Sequence, residues 1–200
     1  MENEKTKGQV LEEKLLSKPK SLGEIDNSLL DQALEFCEGY KRFLSHKTER
    51  EIVDYVIPML RKNGYREFEH GIKYAAGDKV YMVNRGKTLI MVTIGKRPIS
   101  EGARIGVSHI DSPRLDFKPN PLFESMGMAY FKTHYYGGIK KYQWFAIPLS
   151  LHGVVCLKDG STVKISVGEK EDEPRFCVTD LLPHLAQNQM KKPMAEALEG

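Results

Sequence analysis

The spacing of apolar residues along this chain predicts an α/β fold, and three observations carry the prediction. Apolar residues recur at intervals of three and four between Leu30 and Leu60, and the spacing falls to two from Tyr65 onward. A short apolar run, Arg104 to Ser108, then ends in His109, with Asp111 two residues later. The run reads as a buried strand, and ligands in open α/β sheets commonly lie just beyond the carboxyl ends of strands.

The first 24 residues are charged and close on Lys18-Pro19-Lys20-Ser21-Leu22-Gly23, which reads as a mobile lead-in. Leu30, Ala33, Cys37, Tyr40 and Leu44 then share one helical face, predicting a helix over about 28–45 with its cap among Asp26 to Ser28. Thr48-Glu49-Arg50-Glu51 matches a capping box. Ile52, Val53, Val56, Ile57 and Leu60 continue a second helix to Asn63-Gly64, with a kink expected at Pro58.

Val80 and Met82, followed by Leu89, Met91 and Val92, flank Asn84-Arg85-Gly86-Lys87 as a hairpin. After the Arg104 to Ser108 strand, Lys118-Pro119-Asn120-Pro121 reads as a connection, and a domain boundary is placed near Asp116. Beyond it come strands at Met128–Tyr136, Gln143–Leu157 (bent at Pro148), Ser161–Val167 and Arg175–Val178. Lys158-Asp159-Gly160 is the turn before Ser161, and Asp180 caps a short helix Leu181–Met190.

With 200 residues, 40% of them hydrophobic, the chain can build a core. Thirty basic against 27 acidic residues leave a net charge of +3, too balanced to imply nucleic acid or an anionic membrane as partner. Cys37, Cys156 and Cys177 are odd in number and sit among apolar residues, as expected of buried thiols in a reducing compartment. Neither a signal peptide nor a membrane-length apolar run is present, so a cytoplasmic protein is expected.

In an extended segment, side chains two apart point the same way, so His109 and Asp111 can share one site. A metal-ligating histidine usually gives its other ring N–H to a carboxylate, and His-x-Asp supplies both groups. His46 and His70 read as turn histidines, His134 as a strand-end packing residue, His152 as a satisfied core or edge histidine, and His184 as a helix residue able to reach a cleft. No Gly-x-Ser-x-Gly elbow, activated cysteine or phosphate-binding glycine loop is present.

Four motifs, in order, extend this reading: Ser108-His109-Ile110-Asp111-Ser112-Pro113-Arg114-Leu115, Lys132 to Trp144, Pro148-Leu149-Ser150-Leu151-His152-Gly153, and Thr179-Asp180-Leu181-Leu182-Pro183-His184-Leu185-Ala186. Together the chain from about 28 to 200 resembles the aspartyl aminopeptidase and aminopeptidase I family of two-zinc exopeptidases. The resemblance implies the N-terminal part of a zinc-peptidase α/β catalytic domain (25–116, after the lead-in 1–24), followed by part of an inserted β-rich dimerisation domain (117–200). It implies His109 as a ligand of the first Zn2+ and Asp111 as the carboxylate that orients it. His184 lies near the family's histidine that reaches a neighbouring subunit's active site, though Asn188 stands where some members carry a second histidine.

The bridging carboxylate, the general base and the last ligands would follow Gly200. The expected function is therefore a zinc-dependent aminopeptidase removing N-terminal residues, acidic ones among them, from peptides, here as a truncated chain inactive alone and prone to associate. Its partners would be peptides and further copies of itself. The alternative is a non-catalytic assembly module derived from the same family.

Overall fold

The computed structural model describes residues 5–17, 21–24 and 26–196. Its contacts divide the chain into two compact units, Met1–Ser45 and His46–Gly200.

The first unit is helical. Helix α1 spans Lys7–Leu15, inside the stretch expected to be irregular. Thr6 and Gln9 start it with a reciprocal cap: the Thr6 N–H donates to Gln9 Oε1 at 2.9 Å, and the Gln9 N–H to Thr6 Oγ1 at 3.4 Å. Helix α2 spans Asn27–Leu44, capped by Asp26 as expected, whose carboxylate accepts from the Ser28 N–H at 2.7 Å.

The second unit opens with α3, Glu49–Lys62, which runs through Pro58. Thr48 and Glu51 form the anticipated capping box, and Gly64 takes φ +81 just beyond the Asn63 cap, a value glycine adopts without steric cost. Strand β1 (Arg66–Glu67) lies parallel to β2 (Lys79–Asn84), which pairs antiparallel with β3 (Thr88–Thr93). Arg85 and Gly86, at φ 54 and 66, make the turn, whose Lys87 N–H donates back to Asn84 O.

Ile52, Val53 and Leu60 of α3 are buried, as are Val80 and Tyr81 of β2, and these residues carry the core together with Ala186. Burying a tyrosine needs a partner for its hydroxyl, and Arg61 Nε supplies one at 3.1 Å.

Strand β4, Arg114–Ser125, pairs antiparallel with β5, Met128–Tyr136. The expected connection at Lys118-Pro119-Asn120-Pro121 instead lies inside β4. Pairing skips from Phe117↔Thr133 to Leu122↔Phe131, and Asn120 sits at φ 53. Proline has no N–H for the ladder, so this stretch bulges and pairing resumes beyond it. Met126 and Gly127, both at positive φ, close the hairpin.

Strand β6 is Leu151–Cys156, shorter than expected, and pairs with β7, Thr162–Val167, across the predicted turn. Lys141–Trp144 forms a 3-10 turn, and only single bridges, Phe145↔Val178 and Leu149↔Phe176, mark the expected strands on either side.

Three expectations need correction. Arg104 to Ser108 forms no strand, and Ile105 and Val107 are 82% and 89% exposed. An apolar segment becomes a strand only by pairing its N–H and C=O groups with an edge, and Arg104 to Ser108 pairs with none of the strands among the described residues. Leu181–Met190 is a series of turns with a 3-10 turn at Gln189–Lys191 rather than a helix. Leu181, Leu182 and Leu185 are exposed, so no buried face offsets the entropy of a short helix. The cysteines are free as expected, but all three are exposed rather than buried.

The described residues thus form a mixed α/β architecture, and no helix among them is long and apolar enough to cross a membrane.

Candidate functional site

His109 and Asp111 lie on the irregular segment that leads into β4. His109 Nδ1 is 2.9 Å from the main-chain oxygen of Asp111 and 3.4 Å from its Oδ1. A ring N–H on Nδ1 donating to that carbonyl leaves Nε2 as the nitrogen with an available lone pair, the form in which histidine binds metals. The His109 side chain is 82% exposed.

Asp111 is held from its other side. Tyr136, the last residue of β5, donates its hydroxyl to Asp111 Oδ2 at 2.5 Å. That hydroxyl is the chief reason the Asp111 carboxyl sits below its usual value, and the same bond raises the phenol of Tyr136.

Tyr136 is positioned by the β4–β5 register, which sets it opposite Arg114. The Arg114 guanidinium stacks 4.0 Å from the Tyr136 ring centroid and donates through Nε to Asp116 Oδ1 at 2.7 Å. Its Nη1 lies 3.9 Å from Glu49 Oε2, and Glu49 Oε1 lies 3.7 Å from Lys87 Nζ. A chain of ion pairs, a cation–ring contact and a hydrogen bond therefore runs from α3 through Arg114 and Tyr136 to Asp111. Sequence reasoning missed Tyr136 and Arg114. The available signal was the hairpin register, which brings the two ends of β4 and β5 together.

His184 lies exposed in a turn and forms no hydrogen bond or ion pair with His109 or Asp111. His70 is exposed in a turn against Phe68, and His134 is exposed on β5, where its Nδ1 lies 3.2 Å from Tyr135 O.

A second cluster surrounds His152, whose side chain is 9% exposed. Nδ1 lies 2.7 Å from Glu51 Oε1, while Nε2 lies 2.9 Å from both Glu169 Oε1 and Ser150 Oγ. Burial works to raise the Glu51 carboxyl. The bonds from His152, Lys47 N and Thr48 N outweigh it, and the group ends below its usual value. Glu169 is lowered chiefly by the Ser150 hydroxyl and then by His152.

Zinc sites take three or four protein ligands. No group of three or more His, Cys, Asp or Glu side chains converges as a metal site among the described residues. His109 and Asp111 are two donors, fewer than the three or four protein ligands a zinc site takes.

Residues 43–199 match the family model described as aminopeptidase I zinc metalloprotease (M18). A probable M18 family aminopeptidase 1 of Clostridium acetobutylicum is 48% identical over 180 residues, covering 88% of this chain and 39% of that protein. The crystal structure of an M18 family aminopeptidase from Thermotoga maritima matches with TM-score 0.79 at 38% identity, over 92% of this chain and 40% of that one. Aminopeptidase I from Borrelia burgdorferi matches with TM-score 0.74 at 44% identity, over 80% and 40%. The chain spans about two-fifths of the length of these relatives. With sequence and fold in agreement, the chain belongs to the M18 family of aminopeptidase I zinc metalloproteases.

Proposed function

We propose that this chain supplies the N-terminal part of a zinc-dependent aminopeptidase that removes N-terminal residues, acidic ones among them, from peptides, and that these 200 residues alone do not turn substrate over. The observation that carries the reading is the His109 Nδ1 contact with the Asp111 carbonyl, which leaves Nε2 to ligate a metal. In this reading Asp111 orients His109, and His184 is the side chain offered to a neighbouring subunit's active site. The β-rich part after Asp116 serves as an inserted domain that assembles copies of the chain. The three free cysteines support a cytoplasmic location.

The test is to assay the zinc-loaded chain on aspartyl and leucyl anilides, alone and mixed with the portion of the Clostridium acetobutylicum relative that this chain does not cover. No turnover alone, zinc-dependent turnover in the mixture and its loss in His109→Ala are expected. Turnover by the chain alone, or a His109→Ala mixture as active as the parent, overturns the reading. A stable mixed assembly without turnover favours the non-catalytic assembly module instead.

A further inference from the structure

His152 is nearly buried and stands outside the His109 site, with a carboxylate facing each ring nitrogen. Glu51, from α3, meets Nδ1 at 2.7 Å, and Glu169, just after β7, meets Nε2 at 2.9 Å. Ionised carboxylates only accept hydrogen bonds, so both contacts are satisfied together only when both ring nitrogens carry protons. We infer that His152 is a protonation-sensitive latch: as an imidazolium it pins Glu169 to α3 and β6, and as a neutral imidazole it keeps Glu51 and releases Glu169.

The asymmetry follows from what else holds each carboxylate. Glu51 is anchored in the α3 capping box, its Oε2 accepting from Lys47 N at 2.7 Å and Thr48 N at 3.2 Å, so it stays in place and favours retention of the Nδ1 proton. Glu169 has no such anchor. Its Oε1 depends on His152 Nε2 and on the Ser150 hydroxyl, 2.6 Å away. When the Nε2 proton leaves for solvent, Nε2 becomes an acceptor, and the Ser150 hydroxyl, 2.9 Å from it, turns from Glu169 to the ring. Glu169 then loses both donors, because the Nε2 lone pair now accepts from Ser150.

The other groups facing the cluster leave this direction unchanged. Lys47 attracts Glu169 through charge in either state. The Lys164–Asp54 pair, at 2.5 Å, joins β7 to α3 independently of His152. Glu173 accepts from Gly168 N, Glu169 N and Lys170 N, so the 168–173 loop keeps its own shape and only its attachment changes.

The test is an NMR titration of the full chain from about pH 5 to 8, the interval in which imidazole changes charge. It follows the His152 ring nitrogens and the order of the Glu169 side-chain carbons. Two protonated nitrogens at the acid end are expected, followed on raising pH by loss of the Nε2 proton with Nδ1 still protonated, and a fall in Glu169 order over the same interval. In Glu169→Gln the ring still titrates and the step in side-chain order disappears. A ring that keeps its Nε2 proton and loses the one on Nδ1 overturns the latch. So does Glu169 order that stays constant through the titration, or a step that survives in Glu169→Gln.

Discussion

His152 Nδ1 lies 2.7 Å from Glu51 Oε1, across 101 positions of sequence. The contact ties the first turn of α3 to strand β6, and it uses the same carboxylate that caps the helix. One side chain therefore serves a local and a remote structure at once.

That sharing predicts coupling. Glu51→Gln and His152→Gln each leave a partner without its charged hydrogen bond, at about 1–3 kcal/mol apiece. The double variant should fall short of the sum by about 1 kcal/mol or more in urea unfolding. Additivity to within about 0.5 kcal/mol would show that the contact carries no stability.

Acid should weaken the second unit through the same cluster. Glu51 and Glu169 titrate below their usual values in the folded chain, so below the ordinary carboxylate value of 4.5 the unfolded state binds more protons. Their contribution is complete above that value and is lost as pH falls through the lowered folded ones. Urea midpoints measured from about pH 6 to 3 should fall more steeply for the parent chain than for Glu51→Gln. Parallel slopes would contradict this.

Two glycines should respond oppositely to alanine. Gly168 takes φ +103, and an added Cβ would meet Ser150 Cα at 3.1 Å and Pro174 O at 3.2 Å, both backbone atoms. Gly168→Ala should cost about 1–3 kcal/mol. Gly153, inside β6, has nothing within 4 Å of that position, and its alanine variant should match or exceed the parent in thermal stability. Equal melting of the two variants would remove the steric argument.

Tyr136→Phe should move the Asp111 titration upward, toward the ordinary aspartate value, because the hydroxyl is the main group lowering it. Carboxyl NMR on the variant reads this directly. Glu173, lowered chiefly by the Gly168 N–H, serves as the internal control and should not move. An unchanged Asp111 titration would mean that the Tyr136 bond does not form in solution.

Much of the local architecture was legible in the sequence because its causes lie within a few residues. The Thr48–Glu51 box, the Asp26 cap, the turn at Arg85-Gly86 and the bounds of β5 follow from side chains that bond or bend their own backbone. His109 Nδ1 meets the main-chain oxygen of Asp111 at 2.9 Å and lies 3.4 Å from its carboxylate, a contact between neighbours in the chain.

Tertiary structure decided what depends on remote surfaces. Arg104 to Ser108 has strand composition, but a strand needs a partner edge, and sequence composition carries no information about whether one is present. Leu181–Met190 has a cap and leucines, yet only Ala186 is buried, too little to hold a short helix. The prolines at 119 and 121 looked like a connection, and the length of β5 turned them into a bulge. The bonds from Tyr136 to Asp111 and from His152 to Glu51 join residues 25 and 101 positions apart. The sequence by itself determined the residues that cap α2 and α3 and turn the β2–β3 hairpin, and which polar side chains were available to meet. Which of those residues met was decided by the pairing of distant strands and the burial it allowed.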